Sequence, residues 1–118
     1  MVFDFRKLDV WHLSIEFTKH IYSVVLEFPK YEEYGLSSQI RRAVVSIGGN
    51  IAEGCGRGTQ KDFVRFLHYA YGSCKEIENY FVVALEVGHL DKELYDKLYF
   101  ECDRIEKMVY KLLCKVGS

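Results

Sequence analysis

The sequence predicts an all-α fold, an antiparallel up-down-up-down four-helix bundle, and three observations carry that prediction. A single proline, Pro29, interrupts 118 residues, and long proline-free runs suit helices better than a strand-and-turn architecture. Apolar residues recur at steps of three and four in four separate stretches, the period of an amphipathic helix. The joints between these stretches are short and carry glycine, charge or a capping residue, so neighbouring helices should run in opposite directions. Four helices are expected in one domain, over about residues 8–28, 37–55, 60–87 and 91–115.

In the first helix Val10, Leu13, Phe17, Ile21, Val24 and Phe28 mark the inward stripe. A second stripe, Trp11, Ile15, Tyr22, Val25 and Leu26, occupies more of the circumference. One bundle core cannot absorb both, so part of this helix should meet another chain or the N-terminal arm. Phe3, Phe5 and Trp11 are the expected contacts of a homo-oligomer. Pro29 ends the helix by pushing its predecessor out of the α region. A charged link over residues 30–36 follows, containing Gly35, and Ser37 is placed to cap the second helix. There Ile40, Ala43, Val44, Ile47 and Ile51 face inward. Gly48, Gly49 and Gly54 each cost this helix about 1 kcal/mol against alanine, so they should mark a close approach or a bend.

Gly56 and Gly58 should end the second helix. Thr59-x-x-Asp62 resembles a capping box and opens the third. Phe63, Phe66, Leu67, Ala70, Cys74, Ile77, Phe81, Ala84 and Leu85 form its inward stripe. Gly88 is placed as a left-handed C-terminal residue, and Asp91 as the cap of the fourth helix. Leu94, Leu98, Cys102, Ile105, Val109, Leu112 and Val116 face inward there. Lys107, Lys111 and Lys115 complement its dipole.

Composition excludes several classes. Hydrophobic residues make up 49% and charged residues 28%, which is ordinary for a globular chain and unlike a disordered one. No run approaches the roughly 20 apolar residues that span a bilayer, and the first nine residues carry charges where a signal peptide needs an apolar run. A cytoplasmic protein with no membrane partner is expected. Sixteen basic against 17 acidic residues leave a net charge of −1, far from the usual basic footprint of nucleic-acid binders. Affinity for RNA or DNA must therefore come from a local patch. Arg41, Arg57, Lys61 and Arg65, with Arg42, are expected to gather around the joint of the second and third helices, near Tyr69 and Tyr71 as stacking surfaces.

Four cysteines, Cys55, Cys74, Cys102 and Cys114, form no Cys-x-x-Cys pair, so neither zinc nor a redox motif is expected. Cys74 and Cys102 fall in apolar registers, and Cys55, in its glycine-rich setting, is the one to test for reactivity. Arg42, Ser46, Asn50 and Glu53 recur at steps of four, four and three, while Arg65, Tyr69, Ser73, Glu76 and Tyr80 form a comparable stripe on the third helix. Together with Glu78, these residues are expected to lock the middle helices through a polar network. The competing reading is a ligand-binding or enzymatic bundle using Glu53, Glu76 and Tyr80. Against it, the chain lacks the Glu-x-x-His pairs of di-iron bundles, and His12, His20, His68 and His89 are scattered. No catalytic residue, metal site or cofactor is expected.

Several short blocks together carry a family resemblance: Leu8-Asp-Val-Trp, Phe28-Pro29, Tyr34-Gly-Leu, Gln39-Ile-Arg-Arg-Ala, Ser46-Ile with Asn50-Ile-Ala-Glu-Gly, Phe66-Leu with Ala70 and Gly72-Ser73, and Glu76-x-Glu78. Over nearly its entire length the chain resembles the 23S rRNA intervening-sequence protein family. The resemblance implies a left-handed four-helix bundle that assembles into a ring, a pentamer, without a settled biochemical role. A related group, the accessory variability proteins of diversity-generating retroelements, is similar in fold and assembly and binds nucleic acid through a basic surface; this sequence departs from it in its near-neutral charge. Arg42, Ser46, Asn50, Glu53, Gly54, Ser73, Glu76 and Glu78 match the family pattern and bring no catalytic role. The functional expectation is a non-enzymatic homo-oligomer that presents a surface to RNA. The alternative is a nucleic-acid-binding accessory protein that uses the local basic patch.

Overall fold

The structure, a computed structural model, describes residues 4–117. A 3-10 turn, Phe5–Lys7, leads into α1 (Asp9–Val25); a second turn, Lys30–Glu32, precedes α2 (Leu36–Cys55), and α3 (Gln60–Glu86) and α4 (Lys92–Gly117) follow. Among the described residues there is no strand, and no helix is long and apolar enough to cross a membrane.

The stripes read from spacing point into one core. Phe17 and Ile21 of α1, Ile40, Val44, Ile47 and Ile51 of α2, Leu67, Ile77 and Phe81 of α3, and Leu98, Ile105 and Val109 of α4 are all buried. Followed from Gln39 through Ser46 to Gly54, α2 meets Tyr80, Ser73 and then Phe66 of α3. Two of the helical glycines mark close approaches. A β-carbon at Gly54 would stand 2.8 Å from Phe66 Cβ, and one at Gly48 would stand 2.8 Å from Ser14 Oγ and 3.4 Å from Trp11 Nε1. Gly49 has no such neighbour.

The slot beside Gly48 is filled by α1. Trp11 lies against it, Phe5 packs edge-on at 4.9 Å from Trp11, and both join the core's margin. Phe5 and Trp11 are thus each partly covered by their own chain; Phe3 lies outside the described residues. Of the rest of the second stripe, Val25 is buried in the core at 4% exposure, against expectation, while Ile15 at 38%, Tyr22 at 46% and Leu26 at 80% stay uncovered.

Helix ends follow local chemistry. α1 closes at Val25, short of Phe28, because the bonds from Glu27 N–H to the Val24 carbonyl and from Phe28 N–H to the Val25 carbonyl tighten the chain ahead of Pro29. Ser37 does not cap α2, which begins one residue earlier. The Leu36 N–H instead donates to Glu32 Oε1 at 3.1 Å, from the preceding turn. The other oxygen of Glu32 meets His89 Nε2 at 2.9 Å, and the His89 ring packs 5.3 Å from Phe28. One carboxylate thus ties the α1–α2 loop to the α3–α4 loop. Its pKa is held below the ordinary carboxylate value, first by the Leu36 N–H and then by His89. Thr59 Oγ1 accepts from Asp62 N–H at the start of α3, Gly88 takes φ +87° after its end, and Asp91 accepts from Leu94 N–H at 2.8 Å.

Candidate functional site

The joint between α2 and α3 gathers three of the expected cations. Arg57 and Arg65 both stack on Phe66, their guanidinium carbons 4.8 and 5.0 Å from its ring centre, and Arg65 also reaches Tyr69 at 5.9 Å. Phe66 itself meets Tyr69 edge-on at 5.3 Å. Lys61 is exposed one turn before Arg65. Arg57 pairs with Glu53 at 3.4 Å and Arg65 with Asp62 at 3.2 Å; such exposed pairs are weak and readily exchanged for another anion. The result is a short ladder of planar groups, guanidinium on ring on guanidinium on ring, in which Arg57, Arg65 and Tyr69 are exposed and Phe66 is buried.

Arg41 is not part of it. Fourteen residues of helix, about 21 Å at 1.5 Å per residue, separate it from Cys55 at the end of α2, with Arg57 just beyond, and it serves the other end by bonding the Glu33 carbonyl and carboxylate at 3.3 and 3.4 Å. Arg42 is exposed at that same end. Counting both among cations of the joint overlooked the length of α2.

The polar stripe is less of a network than its spacing suggests. Between α2 and α3, Ser46 Oγ lies 2.7 Å from Ser73 Oγ, and the Tyr80 hydroxyl lies 3.3 Å from Gln39 Oε1 and 3.2 Å from Glu76. Asn50 donates within its own helix, to the Ser46 carbonyl at 2.8 Å. Arg42, Glu53 and Glu76 are exposed, and Glu78 turns the other way, toward α4, where Lys75 approaches it at 3.7 Å. Side chains flanking the core stripe fall on the rim of the helix–helix groove, where water competes for them.

The Glu53, Glu76 and Tyr80 pocket does not form. Glu53 belongs to the level of Phe66, ten residues from Glu76 along α3, about 15 Å. Burial, and then the Glu76 carboxylate, push the Tyr80 hydroxyl above its usual pKa, the wrong direction for a proton acceptor at neutral pH. Cys55 is buried, and its thiol pKa is raised first by that burial, so it is not the reactive cysteine; Cys114 is the exposed one.

Sequence reasoning missed a cluster on the α3–α4 seam. Glu106 is buried, with Lys75 Nζ 2.8 Å from its Oε1 and Cys102 Sγ 3.8 Å from its Oε2. The available signal was a glutamate adjoining Ile105 in the inward register of α4, one turn after Cys102. His20 likewise finds a partner, Glu101, at 2.7 Å across α1 and α4.

The sequence model of one family, 23S rRNA-intervening sequence protein, matches residues 6–111. Among solved structures, a protein with unknown function from the S23 ribosomal protein family of Bacteroides thetaiotaomicron is similar, with a TM-score of 0.79 and 25% identity. The match covers 88% of this chain and 97% of that one. No curated protein matches significantly.

Proposed function

The chain belongs to the 23S rRNA-intervening sequence protein family, and on that premise we propose a non-enzymatic, homo-oligomeric role for it in the cytoplasm. Each subunit is an antiparallel up-down-up-down four-helix bundle, and the subunits close into a ring, a pentamer, whose repeated outer surface is offered to RNA. The observation that carries the assembly is the uncovered stripe on α1. Ile15, Tyr22 and Leu26 share one helical face, remain exposed after the subunit core is complete, and are joined on α2 by Val45, which is 50% exposed. Fully burying one such side chain contributes about 1.5–3 kcal/mol, so a few per interface support association once repeated around a ring.

Sedimentation at micromolar concentration tests this directly. The unaltered chain should run as a closed oligomer, and Tyr22→Glu combined with Leu26→Glu should run as a monomer with unchanged helical circular dichroism. A monomeric unaltered chain defeats the proposal.

The nucleic-acid reading has its own support in the ladder of Arg57, Phe66, Arg65 and Tyr69, which offers phosphate-binding cations beside the exposed Tyr69 ring. If Arg57, Lys61 and Arg65 each neutralise one phosphate of single-stranded RNA, log Kobs should fall against log salt with a slope of about −2 per subunit. Replacing these three with alanine should remove that slope, whereas Arg41→Ala, at the other end of α2, should leave it. Salt-independent binding, or equal loss in both variants, would rule out this surface.

A further inference from the structure

The seam between α3 and α4 carries one short pattern twice. Cys74 and Glu78 stand four residues apart on α3, and Cys102 and Glu106 stand four apart on α4. A step of four puts the two side chains of each pair on one face of their helix. Packing brings these faces together. The Cys102 thiol lies 3.5 Å from the Cys74 carbonyl and 3.8 Å from Glu106 Oε2, and it also interacts with the Cys74 thiol. Ligand atoms of Glu78, Cys102 and Glu106 all fall within 4.8 Å of one another. Cys74, Cys102 and Glu106 are buried, while Glu78 is partly open.

Positive charge is already stabilised at this place. Lys75 Nζ stands 2.8 Å from Glu106 and 3.7 Å from Glu78. The lysine side chain is 55% exposed, and its ammonium lies 5.6 Å from the Tyr71 ring. It can therefore swing outward over that ring without opening the core.

We propose that the seam binds a thiophilic divalent cation, zinc, through Cys102, Glu106 and Glu78, with water as the fourth ligand. A donor set of one thiolate and two carboxylates disfavours the hard cations magnesium and calcium, which take oxygen alone. Zinc accepts sulfur at about 2.3 Å and oxygen at about 2.0–2.2 Å in a tetrahedron, which spaces neighbouring ligand atoms about 3.5 Å apart. The separation of 3.8 Å between Cys102 Sγ and Glu106 Oε2 is close to that edge, and a rotamer change at Glu78 brings in the third ligand. On binding, the Cys102 thiol releases its proton to water and forms a zinc–sulfur bond, the carboxylates exchange Lys75 for the metal, and nothing is oxidised or reduced. Neither helix advertises the site in its own sequence, since α3 contributes Glu78 and α4 contributes Cys102 and Glu106.

The experiment uses the full chain, reduced and treated with chelator, titrated with Zn2+ and with Co2+ as a spectroscopic probe. Expected are one metal ion per chain and a near-ultraviolet thiolate-to-cobalt band that Zn2+ removes. Cys102→Ser and the milder Glu78→Gln should each weaken binding by about 10-fold or more. Cys114→Ser, which removes the exposed thiol, should leave it unchanged, and Lys75→Gln, which removes the competing ammonium, should tighten it. Helical circular dichroism establishes that each variant folds. A folded, reduced chain that gives no band at micromolar metal overturns the proposal. So does a band lost in Cys114→Ser and kept in Cys102→Ser, or a mass showing Cys74 and Cys102 joined as a disulfide.

Discussion

Phe81→Ala is expected to remove about 3–5 kcal/mol of folding stability, the usual range for truncating a buried phenylalanine. Phe81 is 1% exposed and meets Phe17 edge-on, ring centres 6.3 Å apart at 88°, so it joins α3 to α1 through the middle of the core. Two effects add at this position. The lost ring leaves a void that helices cannot close, and Phe17 loses an aromatic pairing worth about 0.5–1.5 kcal/mol beyond its buried area. Against a total of about 5–15 kcal/mol for an ordinary domain, the loss is a large fraction. Urea unfolding measures it, with Val82→Ala as the control: Val82 is the next residue, points out to solvent at 44% exposure, and should change stability by less than about 0.5 kcal/mol. Equal effects at the two positions would mean that the core is not where the spacing and the structure put it.

The contrast between Phe81 and Val82 also shows what the sequence makes legible. Whether a residue faces inward is a local property, set by its phase in a period of 3.6, and the inward stripes of all four helices could be read without coordinates. Which neighbour an outward-leaning side chain meets is not local. Glu76 and Glu78 are two residues apart, so their directions differ by about 200°; one reaches Tyr80 on the α2 side, the other Lys75 on the α4 side. Spacing placed both in one network, and only the azimuth of α3 between its neighbours separates them. The cap of α2 was obscured for a similar reason. Ser37 has the right chemistry, but Glu32 reaches the Leu36 N–H from another turn and is itself held by His89, a contact that depends on how two loops meet. The thiol and carboxylate pairs of α3 and α4 are the extreme case, because their meeting depends on the register between two helices, and neither helix's periodicity contains that.

Gly54→Val is expected to lose about 2–3 kcal/mol, while Gly72→Ala is expected to gain up to about 1 kcal/mol. Helix propensity alone assigns the same sign to both, since glycine in a helix interior is about 1 kcal/mol worse than alanine. Surroundings decide otherwise. At Gly54 a β-carbon would stand 2.8 Å from Phe66 Cβ, 3.1 Å from Phe63 Cδ1 and 3.4 Å from the Phe63 carbonyl. The nearest of these is bonded directly to the backbone of α3, so it cannot yield by turning a side chain; the whole helix must back away, and the branch of valine enlarges that displacement. At Gly72 nothing lies within 4 Å, so the gain in propensity stands unopposed. Thermal unfolding of both variants, with Gly54→Ala between them, resolves the competition, because alanine at position 54 sets the propensity gain against the overpacking in a single measurement. Should Gly54→Ala stabilise the chain as much as Gly72→Ala, α2 and α3 do not approach as closely as their side chains indicate, and the short contact of Ser46 with Ser73 eight residues along would lose its geometric basis as well.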